Sequence, residues 1–454
     1  MSRSLTVLFM PESAYGPTNN CIGIGAALRR RGHRVVFASE ASWRGRLERF
    51  GFEEDLVELA PPARAPGTDS PGSEATEESA DPSADAGQFW TDFVKETAPA
   101  FRLSTLEQLE RFVRPTWQAL CEGARFAQEQ LEAVIDRQRP DVVVEDNVCA
   151  FPALLTARAP FVRIVSCNPL ELAGAELPPK YSGYPMDDDG AWREFRAEYE
   201  RLHRDLWCEF DEWVRSCGAA GLDDLEFIHE SDVLNLYVYP EVVDYPGLPP
   251  SGARWHRLES CVRETEGSLT PSLSEFVQRP GGALVYLSLG SLGSADVELM
   301  ERLVASLSRT PHRYIVSKGP LAASYELPDN MWGAPQVPQT QVLPFVDVVI
   351  THGGNNTTTE SLHFGKPMVA LPLFWDQHDN AQRLAETGFG RRLSTYGHLD
   401  DDLISAVDDL LADDGLRTRM ARVGQAIRAR RGVEQAAALI ERAGEVSKGE
   451  GLPR

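Results

Sequence analysis

The sequence predicts an α/β protein made of two doubly wound, Rossmann-like domains that face each other across a cleft. Three observations carry this expectation. Short apolar runs alternate with helix-length amphipathic stretches in both halves of the 454-residue chain, the pattern of repeated βα units. A stretch with Pro240, Pro246, Pro249, Pro250 and Pro271 separates the halves, as an extended connector does. Residues 346–380 then give a strand, a Gly-rich turn, a helix start and a second strand. That succession sets two strand ends on one sheet edge, where open α/β sheets bind ligands.

Residues 5–10 read as the first strand. Residues 22–28 carry helical spacing and end in Arg29-Arg30-Arg31-Gly32, a cationic last turn followed by a glycine stop. Residues 35–38 are the next strand. Gly16, Gly23 and Gly25 are not in register for a dinucleotide fingerprint, so a nicotinamide site is not expected. Residues 61–87 hold Asp69, Glu74, Glu77, Glu78, Asp81 and Asp85 among Pro, Ser, Gly and Ala. Such a stretch buries too little apolar surface to order itself. It reads as a disordered acidic insertion, with a lid over a ligand as the alternative.

Residues 141–145 and 162–167 read as further parallel strands, and residues 233–239 as the last strand of the first half. Between them Trp192, Phe195, Tyr199, Leu202, Leu206, Phe210 and Trp213 recur at helical spacing, a core-facing stripe. The second half opens with strand 283–289, continues with strand 314–317, and reaches strands 346–350 and 367–373. The expected organisation is a domain over 1–240, a linker over 241–281, a second domain over 282–435, and a C-terminal helix and tail over 436–454.

Composition narrows the function. A net charge of −23 argues against nucleic acid or an anionic membrane as partner. No run of eighteen apolar residues and no signal-peptide layout is present. Seven scattered cysteines lack metal-ligand or CxxC spacing. A cytoplasmic location with reduced thiols is expected.

The sharpest signal is 351–380, THGGNNTTTESLHFGKPMVALPLFWDQHDN. A glycine-rich turn at a helix N-terminus offers backbone N–H groups and a positive dipole end to an anion. The stretch resembles the nucleotide-sugar signature of the inverting UDP-glycosyltransferases, the family that includes bacterial macrolide glycosyltransferases. The residues that carry the resemblance are His352, Gly354, Asn356, Thr357, Glu360, Pro372, Leu373, Phe374, Asp376 and Gln377. It implies the GT-B fold, with the donor on the C-terminal domain and the acceptor on the N-terminal one. It places His352 on the donor diphosphate, Glu360 on the ribose hydroxyls, and Asp376 and Gln377 on the sugar. Gly354, Asn356 and Thr357 complete the phosphate turn, where the two polar residues are also candidate helix caps. Ser291 stands near the β-phosphate, and Gln336, Val337 and Gln339 at the base end. The donor is a nucleotide-sugar and the acceptor a small molecule, with no cofactor and no metal.

Two positions depart from the family. Gln336 stands where the family has a base-stacking Trp, and a flat amide covers less area than an indole. UDP is the expected nucleotide and dTDP the alternative. Pro17, in Gly16-Pro17-Thr18-Asn19-Asn20, stands where the family has its catalytic His. The counterpart of the family's steering Asp is Asp146. Asp146 is the expected replacement base and Glu12 the second candidate. An acceptor that needs no strong base is a further alternative. The expected activity is inverting transfer of a hexose to a lipophilic, antibiotic-like acceptor. The competing expectation is a non-catalytic protein that binds nucleotide-sugar on the same fold.

Overall fold

The computed structural model describes residues 4–61, 96, 98–172, 174–250, 252–264, 267–397 and 400–449. Most of the acidic insertion expected at 61–87 lies outside the described residues. Among those described, the strands form two parallel sheets. The first contains β1 (Thr6–Pro11), β2 (Arg34–Phe37), β3 (Glu53–Glu54), β4 (Val142–Asp146), β5 (Phe161–Val165), β6 (Leu234–Tyr237) and β7 (Trp255–Arg257), in the order β3-β2-β1-β4-β5-β6-β7. The second contains β8 (Leu284–Ser288), β9 (Arg313–Ser317), β10 (Met331–Ala334), β11 (Val348–Thr351), β12 (Met368–Ala370) and β13 (Gly390–Arg392), in the order β10-β9-β8-β11-β12-β13. The order reverses between β1 and β4, and again between β8 and β11. Each reversal opens a crevice at the carboxyl ends of its two strands. The central strands β4, β5, β8 and β11 are buried along their whole length, which is why they read as continuous apolar runs.

Helix α1 (Tyr15–Arg30) starts earlier than the periodicity suggests, so residues 16–20, expected as a turn, form its beginning. Pro17 fits there because first-turn N–H groups have no helical acceptor to lose. Gly32, at φ +91°, ends the segment as expected. Helix α2 (Arg114–Gln138) and helix α3 (Trp192–Ser216) cover one face of the first sheet. The aromatic stripe of α3 is core, with Phe195 and Phe210 fully buried. Helix α4 (Val297–Leu307), helix α5 (Asn355–His363), helix α6 (Gln377–Thr387) and helix α7 (Asp414–Arg430) belong to the second half.

Two expectations need correction. Residues 241–281 are not simply an extended linker, because they supply β7 to the first sheet and a helix over Pro271–Gln278. The terminal helix α8 (Gly432–Gly449) begins ahead of the boundary expected at 436 and leaves the second domain. It returns to the first, where Ala436, Ala437 and Ile440 are buried with Val7, Ile24 and Val142. Its ion pairs explain part of the cationic end of α1. Arg31 meets Glu434 at 2.9 Å and Glu441 at 2.6 Å, and His33 meets Glu441 at 2.6 Å.

Gly432 makes this return path. A Cβ there would lie 2.3 Å from both Leu258 O and Ser260 O. We expect Gly432→Ala to cost about 1–3 kcal/mol, as overpacking does. The measurement is a thermal melt, and an unchanged Tm would show that the segment after β7 yields.

Candidate active site

The two crevices face each other. On the C-terminal side, β8 ends at Ser288 and β11 at Thr351, and His352 follows directly. Its ring lies between two glycines. A Cβ at Gly290 would stand 3.0 Å from Nε2, and one at Gly354 only 2.5 Å from it. The glycines of this turn therefore make room for an imidazole as well as for a ligand. Burial holds His352 down at about 4 against a backbone hydrogen bond to Ser288 that raises it. At neutral pH the ring is uncharged and carries a single N–H.

Helix α5 begins at Asn355 with Gly354 as its cap residue, and no side chain caps it. Asn356 and Thr357 are thus not the caps that their position allowed. Asn356 Nδ2 donates to Glu360 at 3.0 Å, and Thr357 Oγ1 accepts weakly from Gln339 at 3.4 Å. Helix α1 likewise starts without a side-chain cap and without an acidic residue in its first turn. The two uncapped N-termini approach each other, since a Cβ on Gly16 would lie 3.5 Å from Asn356 Cβ. Two positive dipole ends repel unless an anion lies between them.

Glu360 is 2% exposed and already engaged. Oε1 accepts from Arg263 at 2.6 Å, and Oε2 accepts from Gln339 at 2.6 Å. Gln336 is exposed and donates to the Tyr15 hydroxyl across the cleft at 3.1 Å. Val337 packs against the core. Ser291 is exposed beside Gly290.

Asp376 and Gln377, expected on the sugar, are both buried. Gln377 is buried, and its Oε1 accepts from Leu373 N and Phe374 N at 3.1 and 3.3 Å, closing its own turn. Asp376 Oδ2 accepts from Asn168 N in the first domain at 3.0 Å. Burial pushes its carboxyl up to about 7, with Glu171 and Glu12 adding to the rise. Trp375, just before them in the loop, is held at φ +56°. Its ring packs against Tyr181 and Trp117 of the first domain at 4.4 and 5.4 Å. Asp379 accepts from Tyr181 N and Gly183 N at 2.6 and 2.8 Å. The start of α6 thus clamps the domains together.

On the N-terminal side, β1 ends at Pro11 and β4 at Asp146, with Glu12 N donating to Asp146 O at 2.8 Å. Asp146, the expected base, is 2% exposed. Its Oδ1 accepts from Ser166 at 2.7 Å and its Oδ2 faces Cys21 Sγ at 4.0 Å. Burial, reinforced by Glu12, pushes Asp146 up to about 7. Glu12 keeps part of its surface accessible, and desolvation pushes it up to about 7 as well. Asp146 is therefore enclosed by its own domain, and Glu12 is the carboxyl of this pair with an accessible surface.

Sequence reasoning missed Arg263, Asn168, Asp379 and Tyr15. Asp379 stands inside the signature stretch and was legible there. The other three carry no local signal, because their roles come from contacts across more than ninety residues of chain.

Comparison with known proteins fits this geometry. Residues 261–429 match the family described as UDP-glucoronosyl and UDP-glucosyl transferase. The oleandomycin glycosyltransferase of Streptomyces antibioticus is 27% identical over 438 residues, 94% of this chain and 88% of that protein. The C-terminal half therefore carries a domain of this glycosyltransferase family. The sterol 3-beta-glucosyltransferase of Yarrowia lipolytica is 24% identical over 94% of the chain, which spans only 28% of that longer protein. The glycosyltransferase of kitacinnamycin superposes with a TM-score of 0.67 at 23% identity, covering 98% of this chain and 100% of the other. The fold is the expected GT-B arrangement. Among the described residues of this glycosyltransferase, no helix is long and apolar enough to cross a membrane.

Proposed function

We propose that this glycosyltransferase moves a hexose from a nucleoside diphosphate sugar to a small lipophilic acceptor, with inversion at the anomeric carbon. One observation carries the reading. The sandwiched His352 and the uncapped α5 terminus face the uncapped α1 terminus and the carboxyl pair Glu12–Asp146 across one cleft. The first set suits a diphosphate leaving group and the second a hydroxyl that must lose a proton. UDP and dTDP are the two candidate nucleotides.

Glu12 is the better candidate for the base, reversing the order expected from sequence, because its carboxyl retains accessible surface. In the step, an acceptor O–H gives its proton to Glu12 as its oxygen bonds to the anomeric carbon. The carbon–oxygen bond to the diphosphate breaks on the opposite face, and its electron pair leaves with the diphosphate. His352 and the α5 amides receive the growing charge. Asp146 is a positioning residue that shares the electrostatic load with Glu12. In this reading Asp376, held across the domain interface by Asn168, orients the sugar.

A crevice of about 230 Å³ in the first domain, lined among others by Leu170, Pro178, Lys180, Phe195, Tyr199 and Leu225, supports a mixed apolar and polar acceptor. The macrolide-modifying relative points to an antibiotic-like or polyketide aglycone. The test is transfer from UDP-sugars and dTDP-sugars to an acceptor panel, with product mass and anomeric configuration recorded. Glycosides with inverted configuration support the reading. Nucleotide binding without transfer or donor hydrolysis would favour a non-catalytic binding protein instead.

A further inference from the structure

The segment that crosses from β7 toward the second sheet lays itself along α5. Ser260 Oγ meets His363 Nδ1 at 2.8 Å, and three residues later Arg263 Nη1 donates to Glu360 Oε1 at 2.6 Å. Close packing fixes this path. A Cβ on Gly23 of α1 would meet Cys261 O at 3.1 Å and Arg263 Cα at 3.5 Å, while Gly432 holds the other side. Arg263 is 7% exposed and Glu360 2%. The pair is therefore buried and set by the backbone, unlike a mobile surface ion pair.

This arrangement limits what Glu360 can still accept. An ionised carboxylate offers about four lone-pair sites. Arg263 and Asn356 use Oε1, and Gln339 uses Oε2. About one site remains. A ribose presents two adjacent hydroxyls, whereas a 2′-deoxyribose presents one. We propose that Arg263 is a donor-specificity residue. By occupying Glu360 it leaves the pentose reader a single acceptor site, so the pocket takes deoxyribonucleoside and ribonucleoside diphosphates alike. The inference rests on the reading of Glu360 as the residue that faces the donor pentose.

Titration calorimetry with UDP and with 2′-deoxy-UDP tests it, since the ligands differ by that one hydroxyl. The wild type should bind both within about threefold, and Arg263→Ala should favour UDP by about tenfold or more, as one added hydrogen bond to a charged group would. A wild type that already prefers UDP about tenfold overturns the proposal, as does an Arg263→Ala variant that binds the two alike. Should Arg263→Ala fail to fold, the wild-type ratio still decides, and Arg263→Met, which keeps an apolar stem but cannot donate, supplies the second arm with the same expected direction. Glu360→Gln separates failure of the underlying reading. It should weaken both ligands, and unchanged affinity for both would remove Glu360 from the pentose and overturn the proposal with it.

Discussion

Glu12→Gln should lower the turnover number by about 10²–10⁴, the usual loss for a general base, while leaving UDP affinity near wild type. In the proposed reading the nucleotide is held by α5 and His352 on the other domain, so the two readouts separate. The pH profile gives a second, independent check. Burial pushes Glu12 up to about 7, and a base works only when deprotonated. Activity should therefore rise with pH and level off above about 7, not above the ordinary carboxylate range. Asp146→Asn should be milder and move that inflection downward, because it removes a like charge from the neighbourhood of Glu12. If Asp146→Asn abolishes turnover and Glu12→Gln does not, the two roles are exchanged. If neither matters to an active enzyme, the acceptor supplies its own nucleophile, as an amine, an acidic phenol or a carboxylate can.

The same carboxyls bear on stability. A carboxyl whose folded value is raised contributes stability below its unfolded value and loses it as pH rises through the folded one. Glu12, Asp146 and Asp376 all stand at about 7. Their contribution thus declines from the acid side toward neutrality, opposite to that of salt-bridged acids such as Glu53, held low by Arg34.

His352→Ala should weaken UDP-sugar binding by about 2–3 kcal/mol, the worth of a hydrogen bond to a charged group. Titration calorimetry decides it, and unchanged affinity would take the signature turn out of the binding site. Because burial keeps His352 neutral at ordinary pH, its contribution is that of an uncharged ring and should not fade as pH rises through neutrality. Gly354→Ala should act in the same direction without removing the ring. Its Cβ would need the space 2.5 Å from Nε2, so the imidazole must rotate away from its place over the turn. Equal losses in the two variants would mean that ring position, not ring presence alone, sets affinity.

Much of the fold was readable from the chain. The interior strands were, because burial on both faces makes them continuous apolar runs. The short strands β3 and β13 were not, since Glu53-Glu54 and Gly390-Arg391-Arg392 carry charge and no periodicity. Strand β7 was hidden in a proline-rich segment, and α8 gave no sign of which domain it would cover. Its apolar face is compatible with either, and only the close approach at Gly432 and the pairing of Glu434 and Glu441 with Arg31 show the choice.

The donor site divides along the same line. The sequence alone determined the Gly-rich turn, because His352, Gly353, Gly354 and the start of α5 are adjacent residues whose geometry is local. Only the tertiary structure decided that Glu360 is shared with Arg263, that Asp376 is tied to Asn168, and that Asp146 is enclosed while Glu12 is not. The physical reason is that hydrogen-bond partnership and desolvation depend on what the chain brings together from distant positions. A carboxylate's type is written at its own place in the sequence, but its partners, its burial and hence its protonation are not.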